Sequence, residues 1–222
     1  MNYIVSTKAL KPARFPAIMA ISLLLCVSAT AALKTWDGSS GANWSTAANW
    51  TPSGVPLDGD DLSFPAGALN PVNNNDIVDL RVATLQFSGA AGGFTLSGNA
   101  ITITNGVVAA NTAGLNILSF STITNATSQT WTVDSGGTLD VNANIVLIGG
   151  GTFTVNNDFN VTLDGTISGS GALLKSSSGT GTLFLRSSAN NTYTGTTTVN
   201  AGILNLNSSA SATAMVPGDL VI

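Results

Sequence analysis

The stretch "GTGTLFLRSSANNTYTGTTTVNAGILNLN", residues 179–207, decides the fold. It holds one charged residue, Arg186, and neither histidine nor cysteine. Its apolar residues alternate with Thr and Asn, the period-2 pattern of a strand with one face buried. That alternation predicts Leu183, Leu185, Val199, Leu204 and Leu206 pointing inward and Gly195 and Gly202 in turns. Thr196, Thr197, Thr198 and Asn200 are expected outside or at the corners.

The same style of sequence runs through the chain from Asp76 onward. Short runs such as "ATLQF", "ITIT", "LNILSF", "TWTV", "NIVLI" and "TLFL" are separated by Gly, Asn and Ser, and no window reads as an amphipathic helix. A local phrase recurs at Gly137-Thr138-Leu139-Asp140-Val141, Gly151-Thr152-Phe153-Thr154-Val155, Gly181-Thr182-Leu183-Phe184-Leu185 and Gly202-Ile203-Leu204-Asn205-Leu206. The copies are unevenly spaced, as expected where strands are kept and turns vary. Degenerate repetition of strand plus turn marks a solenoid, in which a coil buries its apolar side chains only against neighbouring coils. The expected fold is therefore all-β, a right-handed parallel β-helix (β-solenoid) over 67–222 behind an N-terminal capping segment at 32–66. An antiparallel β-sandwich is the alternative the same strands permit.

Stacking also accounts for the scarcity of charge, 8% of residues. Equivalent residues of successive coils lie about 4.8 Å apart, so a repeated charge would face its own copy. Thr and Asn do not repel and can form side-chain hydrogen-bond ladders. Every acidic residue is an aspartate, and the helix-forming Glu, Lys and Arg are absent or few.

The segment 1–31 differs from the rest. Lys8, Lys11 and Arg14 precede an apolar run from Ala17 to Val27, and Ala29-Thr30-Ala31 provides small residues at signal-peptidase spacing. Residues 1–31 thus read as a secretory signal cut between Ala31 and Ala32. The run is shorter than the roughly 20 residues an uncleaved anchor needs. Cys26, the lone cysteine, lies inside it and follows Leu25 rather than a small residue, which argues against lipidation. The mature chain then carries Lys34, Arg81, Lys175 and Arg186 against 11 aspartates, a net charge of −7. That balance repels phosphate backbones and excludes nucleic acid as a partner. No segment of the mature chain is expected to span a membrane.

Residues 179–207 resemble the autotransporter-associated β-strand repeat, a Gly-x-Gly-x-Leu strand, an Asn-x-Tyr-x-Gly-x-Thr turn and strand, then Gly-x-Leu. Gly179, Gly181, Leu183, Asn191, Tyr193, Gly195, Thr197, Gly202 and Leu204 fit those positions, within a repeat taken as about 168–207. Near the mature N-terminus, "TWDGSSGANWSTAANWTPSGVPLDGDDLSF" at 35–64 is similar to the openings of large bacterial surface proteins that carry such repeats. The resemblance implies a secreted β-helical passenger displayed on a Gram-negative-type cell surface, structural or adhesive, without catalysis or cofactor. Its surface ligand, a glycan or a matrix protein, is not named by any residue. The chain stops at "PGDLVI", with Leu220, Val221 and Ile222 opening what reads as another strand after Pro217 and Gly218. The C-terminus therefore reads as truncated, and self-association through that last coil is expected.

Few residues offer chemistry. Absence of histidine removes Ser-His-Asp and Cys-His nucleophile systems and His-based zinc sites. Asp158 and Asp164 are the pair left for glycoside hydrolysis, since two carboxylates suffice, although Asp-x-Gly more commonly makes a turn. Asp58, Asp60 and Asp61 around Gly59 form a hard-oxygen cluster of the kind calcium takes, but the bidentate glutamate of an EF-hand is missing and a solvated turn explains them. Trp36, Trp44 and Trp50 could stack on sugar rings as a carbohydrate-binding module, or could close the open end of the solenoid. The sequons Asn49-Trp50-Thr51 and Asn160-Val161-Thr162 carry little weight in a bacterial reading.

Overall fold

The computed structural model describes residues 31–90, 93–176, 180–208 and 214–222. The signal reading thus falls outside the described residues, apart from Ala31 and Ala32. Among the described residues no helix is long and apolar enough to cross a membrane. Those residues are strand and turn throughout, with one short 3-10 turn at Ala47–Asn49.

The strands stack in parallel. Two sheets form, one of 13 strands and one of seven, and strands inside each sheet pair with their equivalents one coil earlier and one coil later. Among the described residues the one antiparallel pair lies at the N-terminal end, between Leu33–Trp36 and Trp50–Thr51. Parallel stacking with this register is the solenoid, and it rules out the antiparallel sandwich.

A coil has three sides. Its first is a strand of the seven-stranded sheet, such as Thr138–Val141. A second four-residue strand, Asn144–Leu147, turns the corner, and Thr152–Asn157 returns along the large sheet. The period is clearest on the corner side, where Ile101, Ile123, Ile145 and Ile167 pair in register at an unchanging interval. All four are buried. On the seven-stranded sheet Leu96, Leu118, Val141, Leu163 and Leu185 make one inward column, and Leu139, Val161 and Leu183 a second. Each such side chain is worth about 1.5–3 kcal/mol when buried, but only because the next coil covers it. Columns of branched aliphatics therefore hold the fold, and no single coil has a core of its own.

One expectation for the last coils needs correction. Thr197 is buried, not outside: it pairs with Leu173, in the inward column of Phe153, and its hydroxyl meets the buried Tyr193 hydroxyl. The alternation itself requires this, because Thr197 and Val199 are two positions apart and must share a face. Leu206 continues the column of Leu185 yet is 48% exposed, and Val199 and Leu204 are only partly buried. Among the described residues no later strand stacks on Ile203–Leu206. The direction of these side chains follows the pattern; their burial depends on a neighbour.

Asparagine is also not confined to the outside. Asn111 and Asn157 are buried at corners, where each carboxamide donates to the carbonyl two positions on, Ala113 and Phe159. Asn157 further donates to Thr182 O of the next coil at 3.1 Å. These side chains satisfy carbonyls where the strands stop pairing, a demand every buried corner makes.

Candidate functional site

Three regions carry the residues that sequence singled out: the N-terminal cap, the polar exterior of the large sheet, and the repeat at the C-terminal end.

The cap closes both sheets. Leu33–Trp36 adds to the large sheet beside Asp61–Pro65, and Trp50–Thr51 covers its outer edge. Over the seven-stranded sheet, Trp44 N–H donates to Asn74 O and Asn74 N–H to Ala42 O. Trp36, Trp44 and Trp50 lie in the core, at most 1% exposed. Trp36 meets Trp50 edge-on at 5.0 Å between ring centroids, Trp44 meets Trp50 at 5.8 Å, and Phe64 joins them to Phe87 at 5.6 Å. Each indole N–H is satisfied, by Asn70 O, Asn73 Oδ1 and Trp44 O respectively. The rings therefore plug the end of the aliphatic core, and a sugar would have to displace the cap to reach them.

The aspartate cluster beside the cap is a hydrogen-bonded turn. Asp58 accepts the Arg81 N–H at 2.9 Å, whereas Asp60, 2% exposed, accepts N–H groups from Ala32 at 2.8 Å and Leu57 at 2.9 Å. Among the described residues no group of three or more His, Cys, Asp or Glu is arranged to hold a metal. Across the cap, Asp76 accepts from the Ser45 N–H and hydroxyl. Partial burial is the largest single influence and raises its pKa, but the Ser45 bonds together with backbone N–H groups of Asp76 and Trp44 outweigh it and hold the carboxyl below its ordinary value.

Asp158 and Asp164 sit at opposite ends of the strand Val161–Leu163. Asp164 lies 3.5 Å from Arg186 in an exposed ion pair, and Asp158 accepts the Thr180 N–H. Lys175 is buried in the inward column between Val155 and Val199. Burial lowers its pKa and the nearby Asp158 charge opposes that.

On the large sheet, the register shifts by one position between Val82, paired with Ile103, and Thr84, paired with Gly106, so that Thr104 and Asn105 stand opposite Ala83. The resulting hollow, about 330 Å³, is lined by Thr84, Asn105, Ser128 and Thr130 around Gly106. Asn105 Nδ2 donates to Thr84 Oγ1 at 3.0 Å. The hollow, which Val108 and Gln129 also line, carries no charged group, and sequence reading missed it because a bulge depends on the partner strand.

In the repeat, the described motif residues have structural tasks. Asn191 is buried and joins successive coils: its Oδ1 accepts the Ile167 N–H at 2.8 Å and its Nδ2 donates to Met215 O at 2.7 Å. Tyr193 is buried and its hydroxyl bonds Thr197, with burial the larger influence raising its pKa. Gly181 and Gly195 are required by close approach, since a Cβ on them would lie 2.4 Å from Phe159 O and 2.5 Å from Gly171 O. Beyond these positions, Ile203, Leu206, Leu220, Val221 and Ile222 form an exposed apolar edge.

Residues 178–206 match the family model described as Passenger-associated-transport-repeat. No curated protein and no solved structure matches the chain.

Proposed function

We propose, for a chain that carries a passenger-associated-transport-repeat, that it is a structural passenger: an exported, stiff solenoid whose work is extension and contact at the surface of a Gram-negative-type cell. The observation that supports this best is the repeat in its place, with Asn191 joining successive coils and Tyr193 and Thr197 bonded to each other in the interior, all three turned inward rather than outward to meet a ligand. The exterior agrees with it. Outward positions hold Thr130 over Thr154 and Thr132 over Asn156, neutral side chains that stack without repulsion. Asp164 beside Arg186 places opposite charges on neighbouring coils.

Residues 1–31 direct export and are removed during it, and any adhesive contact is made by neutral polar rungs, to a glycan or a matrix protein. Catalysis has no part in this reading: Asp164 is tied to Arg186, and the chain contains no histidine. The test is to express the full chain in a Gram-negative host and probe intact cells with antibody and external protease. Surface labelling is expected, together with binding to at least one member of a glycan and matrix-protein array. Accumulation inside the cell, or hydrolysis of an array glycan, would overturn it.

A further inference from the structure

The cap contains a buried carboxylate held by neutral donors alone. Asp60 is 2% exposed, and its two oxygens accept the backbone N–H groups of Ala32 and Leu57. Among the described residues it makes no ion pair: of the two cations nearest in sequence, Arg81 gives its backbone N–H to Asp58 at 2.9 Å, and Lys34 directs its ammonium to Pro52 O at 3.1 Å. A buried carboxylate without a positive partner is costly, and its donors become stronger when one of them carries charge.

Ala32 is also where the signal reading places the cut. Hydrolysis of the Ala31–Ala32 bond adds water, leaves a carboxylate on Ala31 and frees an amine on Ala32, which is protonated at neutral pH because α-amino groups titrate near about 7.7–8.0. The carbonyl of Ala32 is meanwhile fixed by the Asp61 N–H at 2.9 Å, so the nitrogen keeps its place against Asp60 when the bond behind it is cut. Ala31 is exposed, which leaves the bond accessible, and Ala32 is only half-buried, so the other ammonium hydrogens can reach water.

We infer that leader removal builds an ion pair into the cap: the new Ala32 ammonium becomes the counter-ion of Asp60. This rests on the export reading above. Cutting the chain then stabilises the first strand of the large sheet, and with it the Trp36, Trp44 and Trp50 plug, only after the chain has left its leader. The uncut chain keeps the neutral bond and a looser cap.

The experiment uses the full precursor exported by a bacterial host, with mass spectrometry of the mature chain. Three variants accompany it: Asp60→Asn, one serine inserted between Ala31 and Ala32, and both together. The insertion moves the ammonium away and retains both Asp60 and the Ala32 N–H, so it tests the pair even if Asp60→Asn folds poorly. The insertion is expected to lower the folding equilibrium constant roughly tenfold, the difference between a charged and a neutral donor. In the Asp60→Asn background the insertion should have little further effect. Acylation of the Ala32 amine by an N-hydroxysuccinimide ester at pH 7 should be several-fold slower in wild type than in Asp60→Asn. If Ala32 leads the mature chain but its amine reacts equally fast in both, or the insertion is harmless, the pair is wrong while export stands. A mature chain that begins elsewhere overturns the cleavage reading and the pair with it.

Discussion

Replacing Asn191 with alanine should unfasten the C-terminal coils. Its carboxamide makes two buried bonds, one from the Ile167 N–H at 2.8 Å and one to Met215 O at 2.7 Å, and the residue is 2% exposed. Each bond contributes about 1 kcal/mol net, and an N–H left buried without an acceptor adds roughly 1–3 kcal/mol of cost. Water has little access to either group, so Asn191→Ala should destabilise by about 2–4 kcal/mol. With a urea slope of about 2–3 kcal/mol/M, the midpoint should fall by roughly 1 M. Asn191→Asp separates bonding from packing: it keeps the shape and the acceptor but turns an oxygen toward the Met215 carbonyl, and should cost at least as much at neutral pH. Thr192→Ala, at the exposed neighbouring position, should change stability by no more than about 0.5 kcal/mol. Urea unfolding followed by circular dichroism would measure all three. An Asn191→Ala chain within about 0.5 kcal/mol of wild type, the range of surface substitutions, would refute the reasoning.

Leu183→Ala, in a fully covered column, should cost about 2–5 kcal/mol, whereas Leu206→Ala at the exposed edge should cost about 1 kcal/mol or less; paired urea melts would show the gradient. Gly195→Ala drives a methyl against the Gly171 carbonyl and should cost about 1–3 kcal/mol by the same assay. Because the folded pKa of Asp76 is depressed, its contribution is present above the unfolded value of about 3.9 and is lost as pH falls through the lower folded value. The group is partly solvated, so the loss is small, and Asp76→Asn should flatten the acid limb of a stability–pH curve below pH ~4. Residues 32–222 made alone should self-associate through the edge of Leu220 and Val221, and Val221→Lys should restore the monomer by light scattering. A wild-type monomer at high concentration would contradict that.

Sequence alone settled the all-β class and favoured a solenoid over an antiparallel sandwich, and the parallel register decided between those two. Period-2 alternation, scarce charge and degenerate repetition allow few architectures, because identical neighbours about 4.8 Å apart tolerate neutral polar and aliphatic residues far better than charged ones. The family resemblance at 179–207 nearly coincides with the matched 178–206. The coil length was less legible. The uneven spacing of the recurring phrase mixes two sheets, for the copy at Gly151 lies on the large sheet and the other three on the small one. The isoleucines on the third side keep the true period.

What only the tertiary structure decided is which polar residues face inward and what covers the ends. Alternation distinguishes two faces of a strand but says nothing at a corner, where Asn111, Asn157 and Asn191 turn inward because backbone carbonyls there lack strand partners. Trp36, Trp44 and Trp50 read from sequence as a plug ahead of a sugar platform, but their complete burial against Phe64 is visible only in the tertiary structure. Asp60 looked like its neighbours Asp58 and Asp61 in sequence. Its burial, and its bond to the Ala32 N–H, depend on a segment 28 residues back along the chain, a separation that no local pattern reports.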